Sequence, residues 1–159
     1  MKKYKYFLCI FALFIITFYI STYYFQFALI QGDSMKPAYR SWQLVILNKN
    51  PKELKTGDVI SFRCETLNCV LIKRIVACPG DHMEIEDGIL YVNNSPSPYV
   101  LSPINDPGIA QSPITLGTDE YFVLGDNYEY SKDSRHSEVG YVHSEDILGS
   151  VIPQIPISE

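Results

Sequence analysis

From Phe7 to Ile30 the chain carries no charged side chain. Coiled as a helix, that stretch reaches ~36 Å, against a bilayer hydrocarbon core of ~30 Å. Lys2, Lys3 and Lys5 precede it. Basic residues stay on the cytoplasmic side of a span, so the rest of the chain is expected on the exported side. Tyr19, Tyr23, Tyr24 and Phe25 thicken the far end, as an interfacial aromatic belt does. A cleavable secretion signal is the competing reading. It has a shorter apolar core and a small-x-small cleavage site, which Phe27-Ala28-Leu29-Ile30-Gln31 does not supply. The expected layout is a cytoplasmic basic terminus at 1–6, a single-pass anchor in the cytoplasmic (inner) membrane at 7–30, and an exported domain at 31–159.

A chain of 159 residues allows one globular domain beyond such an anchor. The net charge of −5 argues against a nucleic-acid partner, which would need a basic face. Cys64 and Cys69 stand in Phe62-Arg63-Cys64-Glu65-Thr66-Leu67-Asn68-Cys69-Val70. Two β-type stretches joined by this short polar turn bring the two thiols close, and an exported domain permits a disulfide; two free thiols at the ends of a loop are the alternative. Cys78 then has no partner, and no cysteine spacing resembles a zinc site.

Beyond the anchor the pattern is that of strands. Gln43 to Leu47, Asp58 to Arg63 and Val70 to Val76 are short runs rich in apolar and β-branched residues. Met83-Glu84-Ile85-Glu86 and Ile89-Leu90-Tyr91-Val92 flank Asp87-Gly88, which predicts a type I′ hairpin. Asn93-Asn94 marks another turn. Residues 95–117 hold Pro96, Pro98, Pro103, Pro107 and Pro113 without a clear period and read as an extended surface loop. Strand character returns at Glu120 to Leu124, Gly140 to Val142 and Ile147 to Ile152, with a helical turn near Ser144 to Ile147. The expectation is a mostly β fold: a compact antiparallel β domain, closed around one core, behind one transmembrane helix.

Three patterns occur in a telling order. Gly32-Asp33-Ser34-Met35-Lys36-Pro37 follows the anchor directly. Leu71-Ile72-Lys73-Arg74-Ile75-Val76 runs into Pro79-Gly80-Asp81. Gly125-Asp126-Asn127 precedes Ser131, Asp133, Ser134 and Arg135. Singly, each has a plain explanation. Gly-Asp-Ser and Gly-Asp-Asn are turn chemistry, a strand lysine commonly snorkels to the surface, and Asp133 with Arg135 could be a solvated pair. Together and behind an anchor, they resemble bacterial signal peptidase I and its relatives, the Ser-Lys endopeptidases that remove signal peptides. The likeness runs from the anchor to about Ile152.

The resemblance implies that Ser34 is the nucleophile and Lys73 the general base, which also activates the deacylating water. Ser131 would orient the lysine ammonium, and Asp133 with Arg135 would brace the segment behind the site. The Ser34 backbone N–H would form part of the oxyanion hole. Some relatives carry a serine at the position of Gly32 that adds a side-chain donor there; Gly32 cannot, and its part stays open. The chemistry also stands without the family. A serine hydroxyl needs a base within hydrogen-bond reach. Lysine is that base only when neutral, and burial among Leu71, Ile72, Ile75 and Val76 favours the neutral form. Arginine could not serve, since it stays protonated. An extended substrate could add as a strand beside Leu29-Ile30-Gln31 and Leu71-Ile72, although these residues could equally complete the core.

The chain departs from many relatives at Ala38-Tyr39, in a longer spacer at His136-Ser137-Glu138-Val139, and in a short Pro-rich loop. None of these changes removes a candidate catalytic residue. His82, His136 and His143 lack any H-E-x-x-H-like spacing, so neither a metal nor another cofactor is expected. By resemblance the substrates are membrane-tethered preproteins cut after small residues of the Ala-x-Ala type, with the lipid bilayer as the other partner. A runner-up keeps the chemistry and changes the client to pilin precursors, as in conjugative-transfer peptidases of the same superfamily. From another class comes an inactive membrane-anchored β module that binds exported chains. The intact Ser34, Lys73 and Ser131 speak against it.

Overall fold

The computed structural model of the 159-residue chain describes residues 2–100 and 102–153. It opens with α1, Lys2–Tyr24. Tyr4–Tyr24 is apolar and long enough to cross a membrane, at ~31 Å by helical rise, and it is exposed along its length. The helix stops before the uncharged run does. Phe25–Leu29 forms strand β1 and not the last turns of the anchor expected to reach residue 30. The cause is pairing. β1 lies antiparallel to β2, Leu44–Asn48, with Phe27 opposite Ile46 and Leu29 opposite Leu44. Lys49 donates its backbone N–H to the Tyr24 carbonyl at 2.8 Å and so closes the helix end.

Nine more strands follow. They are β3 (Val59–Cys64), β4 (Cys69–Ala77), β5 (His82–Glu86), β6 (Ile89–Val92), β7 (Ser95–Pro96), β8 (Ile114–Thr115), β9 (Glu120–Leu124), β10 (Val142–His143) and β11 (Ile147–Val151). They build a seven-stranded sheet in the order β1-β2-β11-β3-β4-β9-β10 and a four-stranded sheet in the order β7-β6-β5-β8. Every pairing is antiparallel. Asp87 and Gly88 both take positive φ, 48° and 79°, as a type I′ turn demands; Asn93 and Asn94 do the same at 51° and 63°. At Gly149 a Cβ would come within 2.5 Å of the Asn48 carbonyl oxygen, so only glycine lets β11 cross there.

The interior is divided among three apolar clusters, where one core was expected. The first packs Val76, Phe122 and Leu124 against the inner face of the small sheet, Met83, Ile85 and Leu90. The second, Ile30, Met35, Val45, Leu47, Val59 and Val151, lies under the turn that follows β1. The third joins Ile60, Phe62, Ile75, Val123 and Val142. The Pro-rich stretch 95–117 is not simply a surface loop. It contributes β7, β8 and a 3-10 turn at Gly108–Gln111, and it buries Ile104, Ala110, Ile114 and Leu116. Apolar residues spaced without period can still fill a core when prolines, not helical or strand repeats, set the chain direction.

Cys64 and Cys69 are the last register pair of the β3–β4 hairpin, as their spacing suggested, yet both thiols are free. Cys64 is buried and its Sγ donates to the Glu138 carbonyl at 3.6 Å, whereas Cys69 is exposed. The two sulfurs thus have different surroundings, and no disulfide joins them in this structure.

Candidate active site

The residue that fixes the first part of the site is Met35. It is 1% exposed and sits in the second apolar cluster. Its burial pins the turn at residues 33–39, in which the Lys36 N–H bonds the Asp33 carbonyl at 3.2 Å and the Tyr39 N–H bonds the Met35 carbonyl at 2.8 Å. Ser34 precedes Met35 and is half-buried at the rim. Its backbone N–H has no acceptor among the described residues, whereas the Gly32 N–H is committed to Ser41 Oγ at 3.1 Å.

Lys73 projects from the middle of β4. Only 3% of it is exposed. Its Nζ donates to Ser34 Oγ at 2.8 Å and to the Ile72 carbonyl at 3.0 Å. Burial pushes its pKa below the ordinary lysine value; the negative charges of Asp133 and Asp126 pull partly the other way, as does Cys69. No carboxylate forms an ion pair with it among the described residues. The structure therefore brings together a hydroxyl and an amine that burial biases toward its neutral form.

Next along β4, Arg74 points to the opposite side. It grips Asp126 with two bonds of 2.7 Å, from Nε and Nη2, and bonds the Gly57 carbonyl through Nη1 at 2.7 Å. Asn127 then reaches the Ser34 turn: its backbone N–H donates to the Ser34 carbonyl at 2.9 Å and its Nδ2 to the Asp33 carbonyl at 3.2 Å. Arg74, Asp126 and Asn127 thus link the strand that carries the amine to the turn that carries the hydroxyl. Sequence reasoning assigned none of them a role. The signal was present in Lys73-Arg74 and Gly125-Asp126-Asn127, but only the fold shows that the two meet.

Asp133 and Arg135 form a buried pair, 0% and 4% exposed, with Nε at 2.8 Å from Oδ1 and Nη2 at 3.0 Å from Oδ2. Arg135 also donates to the carbonyls of Tyr128, Asp106 and Ser131, and Asp133 Oδ2 accepts the Gly125 N–H at 3.1 Å. The pair gathers the whole 125–131 segment. A Cβ on Gly125 would collide with Ser131 Oγ and the Ser34 carbonyl, so glycine is required where the segments touch. Ser131 is placed differently from expectation. It is 5% exposed, but its Oγ has no hydrogen-bond partner, Lys73 included.

A cleft of about 430 Å³ opens from Ser34 and Lys73. Leu29, Ile30, Gln31, Leu71 and Ile72, named from sequence as substrate-lining candidates, all border it, with Ala28, Val70 and Leu148 in addition. Its two flanks are open strand edges. β1 ends its sheet, and β4 pairs with β9 only from Arg74 onward, which leaves the outer edge of Cys69–Lys73 unpaired. Unpaired N–H and C=O groups on facing edges accept an added strand. The three histidines lie elsewhere: His82 is exposed against Thr115, His136 is beside the Asp133 backbone, and His143 is exposed near Asp119.

A two-sheet antiparallel fold in which a buried lysine bonds a serine hydroxyl fits a hydrolase of the serine type. The chain belongs to the signal peptidase family, peptidase S26, which it matches over residues 3–154. It is 31% identical over 147 residues to signal peptidase I P of Bacillus subtilis subsp. natto, covering 85% of this chain and 79% of that one. Signal peptidase I T of Bacillus subtilis (strain 168) is 29% identical over 143 residues, with 82% and 74% covered. The crystal structure of a signal peptidase I from Enterococcus faecalis V583 superposes with a TM-score of 0.52 at 27% identity, over 64% of this chain and 98% of that one. The family is one of serine endopeptidases, and so is this protein.

Proposed function

We propose that the protein is a membrane-anchored endopeptidase that removes signal peptides from exported preproteins by a Ser34–Lys73 mechanism. One observation carries this reading: the 2.8 Å contact between Lys73 Nζ and Ser34 Oγ, made by a lysine only 3% exposed. The neutral amine takes the hydroxyl proton as Oγ attacks the scissile carbonyl. The Ser34 N–H, otherwise without an acceptor, faces the developing oxyanion. The resulting ammonium protonates the leaving amine, and Lys73, neutral again, activates the water that releases the acyl group. Asp133 with Arg135 braces the wall behind. Ser131 Oγ, buried and unbonded, is free to turn and accept from Lys73 in its charged state.

The signal-peptide side of the substrate lies extended in the cleft, completing the sheet between β1 and the Cys69–Lys73 edge. Closeness to lipid follows from the anchor and from the outer face of β1 and β2. Phe25, Phe27, Leu29, Leu44 and Ile46 form an exposed apolar stripe that continues directly from α1. With the basic terminus inside, the domain works on the exported side of the cytoplasmic membrane. The relatives named signal peptidase I support a general set of exported clients over a dedicated pilin client. The test is incubation of the detergent-solubilised protein with a preprotein, then mass determination of the products. A single cut after a small residue, absent with Ser34→Ala, is expected. An intact preprotein, or a cut that Ser34→Ala also makes, contradicts the proposal.

A further inference from the structure

A second cavity, about 720 Å³, adjoins the turn that carries Ser34. Ser34 and Met35 border the cleft described above, and the next two residues, Lys36 and Pro37, border this one. Its remaining wall comes from residues 102–106 and from 126–136. Asn127, which holds the Ser34 carbonyl, lines it, and so does Ser131 with its unbonded, 95%-buried hydroxyl (5% exposed). A polypeptide that fills the first cleft with its signal-side residues and crosses Ser34 continues into this cavity.

The charges of the cavity are unbalanced. Each cation there already has a carboxylate: Lys36 pairs with Asp33 at 3.0 Å, and the buried Arg135 with Asp133 at 2.8 Å. Asp126 is neutralised in turn by Arg74 at 2.7 Å, and His136 sits beside the Asp133 carbonyl at 3.3 Å. Two exposed carboxylates remain without an ion-pair partner among the described residues. The Asp106 carboxylate accepts only the Gly108 N–H, at 3.0 Å, while its backbone carbonyl takes Arg135 Nη1 at 3.1 Å; the Glu129 carboxylate accepts nothing among the described residues. The open wall is therefore acidic.

We infer that this cavity receives the mature side of the substrate, the segment just after the cut, and that Glu129 and Asp106 make it favour cationic over anionic residues there. The inference rests on the signal-peptide reading above and adds a specificity that reading does not contain. It also suits the product, whose new α-amino group is mostly cationic near neutral pH.

The test uses the full-length protein in detergent and two preproteins that differ only at the second and third residues after the cut, both Lys or both Glu. A peptide methyl ester with the same signal-side residues serves as the third substrate, because it leaves the cavity empty. Wild type should cut the Lys preprotein with the higher kcat/KM. Glu129→Lys should move the Lys/Glu ratio toward Glu by about two- to fivefold, the range of an exposed charge pair. Asp106→Asn, which keeps an acceptor for Gly108, should move it the same way by less. Ester turnover should not change in either variant. A ratio that stays at the wild-type value in both variants overturns the inference, as does ester turnover that falls in step with preprotein turnover. If wild type turns over the ester but cuts neither preprotein, the signal-peptide reading itself is wrong and this one falls with it.

Discussion

Around β4 the larger sheet buries Lys73, Asp133, Arg135, Ser61 and Ser131, and it leaves strand edges open on both flanks of a cleft. The smaller sheet packs Met83, Ile85 and Leu90 against Ile104, Ala110 and Ile114, and no charged residue is buried there among those described. Both halves have the same hairpin grammar. What separates them is the treatment of polar atoms. Burying a charge without an ionic partner lowers stability, while apolar burial raises it at roughly 25 cal/mol per Å². The proposed chemistry sits where charged and polar groups are buried, and the small sheet with its Pro-rich cover adds apolar burial.

Substitutions in the two halves should therefore separate activity from stability. Ser34→Ala is expected to lower cleavage by about 10⁴-fold or more while the melting temperature stays near wild type. Lys73→Arg should be almost as damaging in a preprotein assay, because a guanidinium keeps its proton. At Asp133, replacement by alanine leaves Arg135 buried and unpaired. A loss of about 3–5 kcal/mol in denaturant titration is expected, together with loss of activity. In the small sheet, Leu90→Ala removes a side chain that is 0% exposed and should cost about 2–5 kcal/mol, yet the folded fraction should cleave at the wild-type rate. A Leu90→Ala enzyme that is stable but slow would dissolve the division drawn between the halves.

The smallest effect is the most pointed. Lys73 holds its proton less tightly folded than unfolded, since burial lowers its pKa. Between that lowered value and the ordinary lysine value the unfolded chain binds more protons, so stability rises with pH across the window and is lowest beneath it. Lys73→Met should then be inactive and, at neutral pH, melt at a higher temperature than wild type. Equal or lower melting would show that the lysine is not a strained group.

The serine and lysine stood out in sequence only through the resemblance, since a Gly-Asp-Ser turn and a strand lysine are each ordinary alone; the fold brings the two within 2.8 Å. The Asp87-Gly88 hairpin was legible on its own, as two adjacent residues dictate its φ angles. The end of the apolar helix was not, because Phe25 to Leu29 suits a lipid-facing helix and an edge strand equally well until β2 is there to pair with it. Residues 95–117 hid their core contribution among prolines. Arg74 with Asp126 escaped notice because the pair joins positions 52 residues apart. Ser131 came to its expected neighbourhood without the expected bond.

The central claim is that a buried, readily neutral Lys73 deprotonates Ser34, and Lys73 can be watched directly. In full-length protein labelled with ¹³C at the lysine ε-carbon, NMR titration, with Lys73→Met to assign the resonance, should show it losing its proton well below the other lysines. The acid limb of the kcat/KM profile should break at that same pH. A Lys73 that titrates with the surface lysines, or a rate profile indifferent to its titration, would contradict the account.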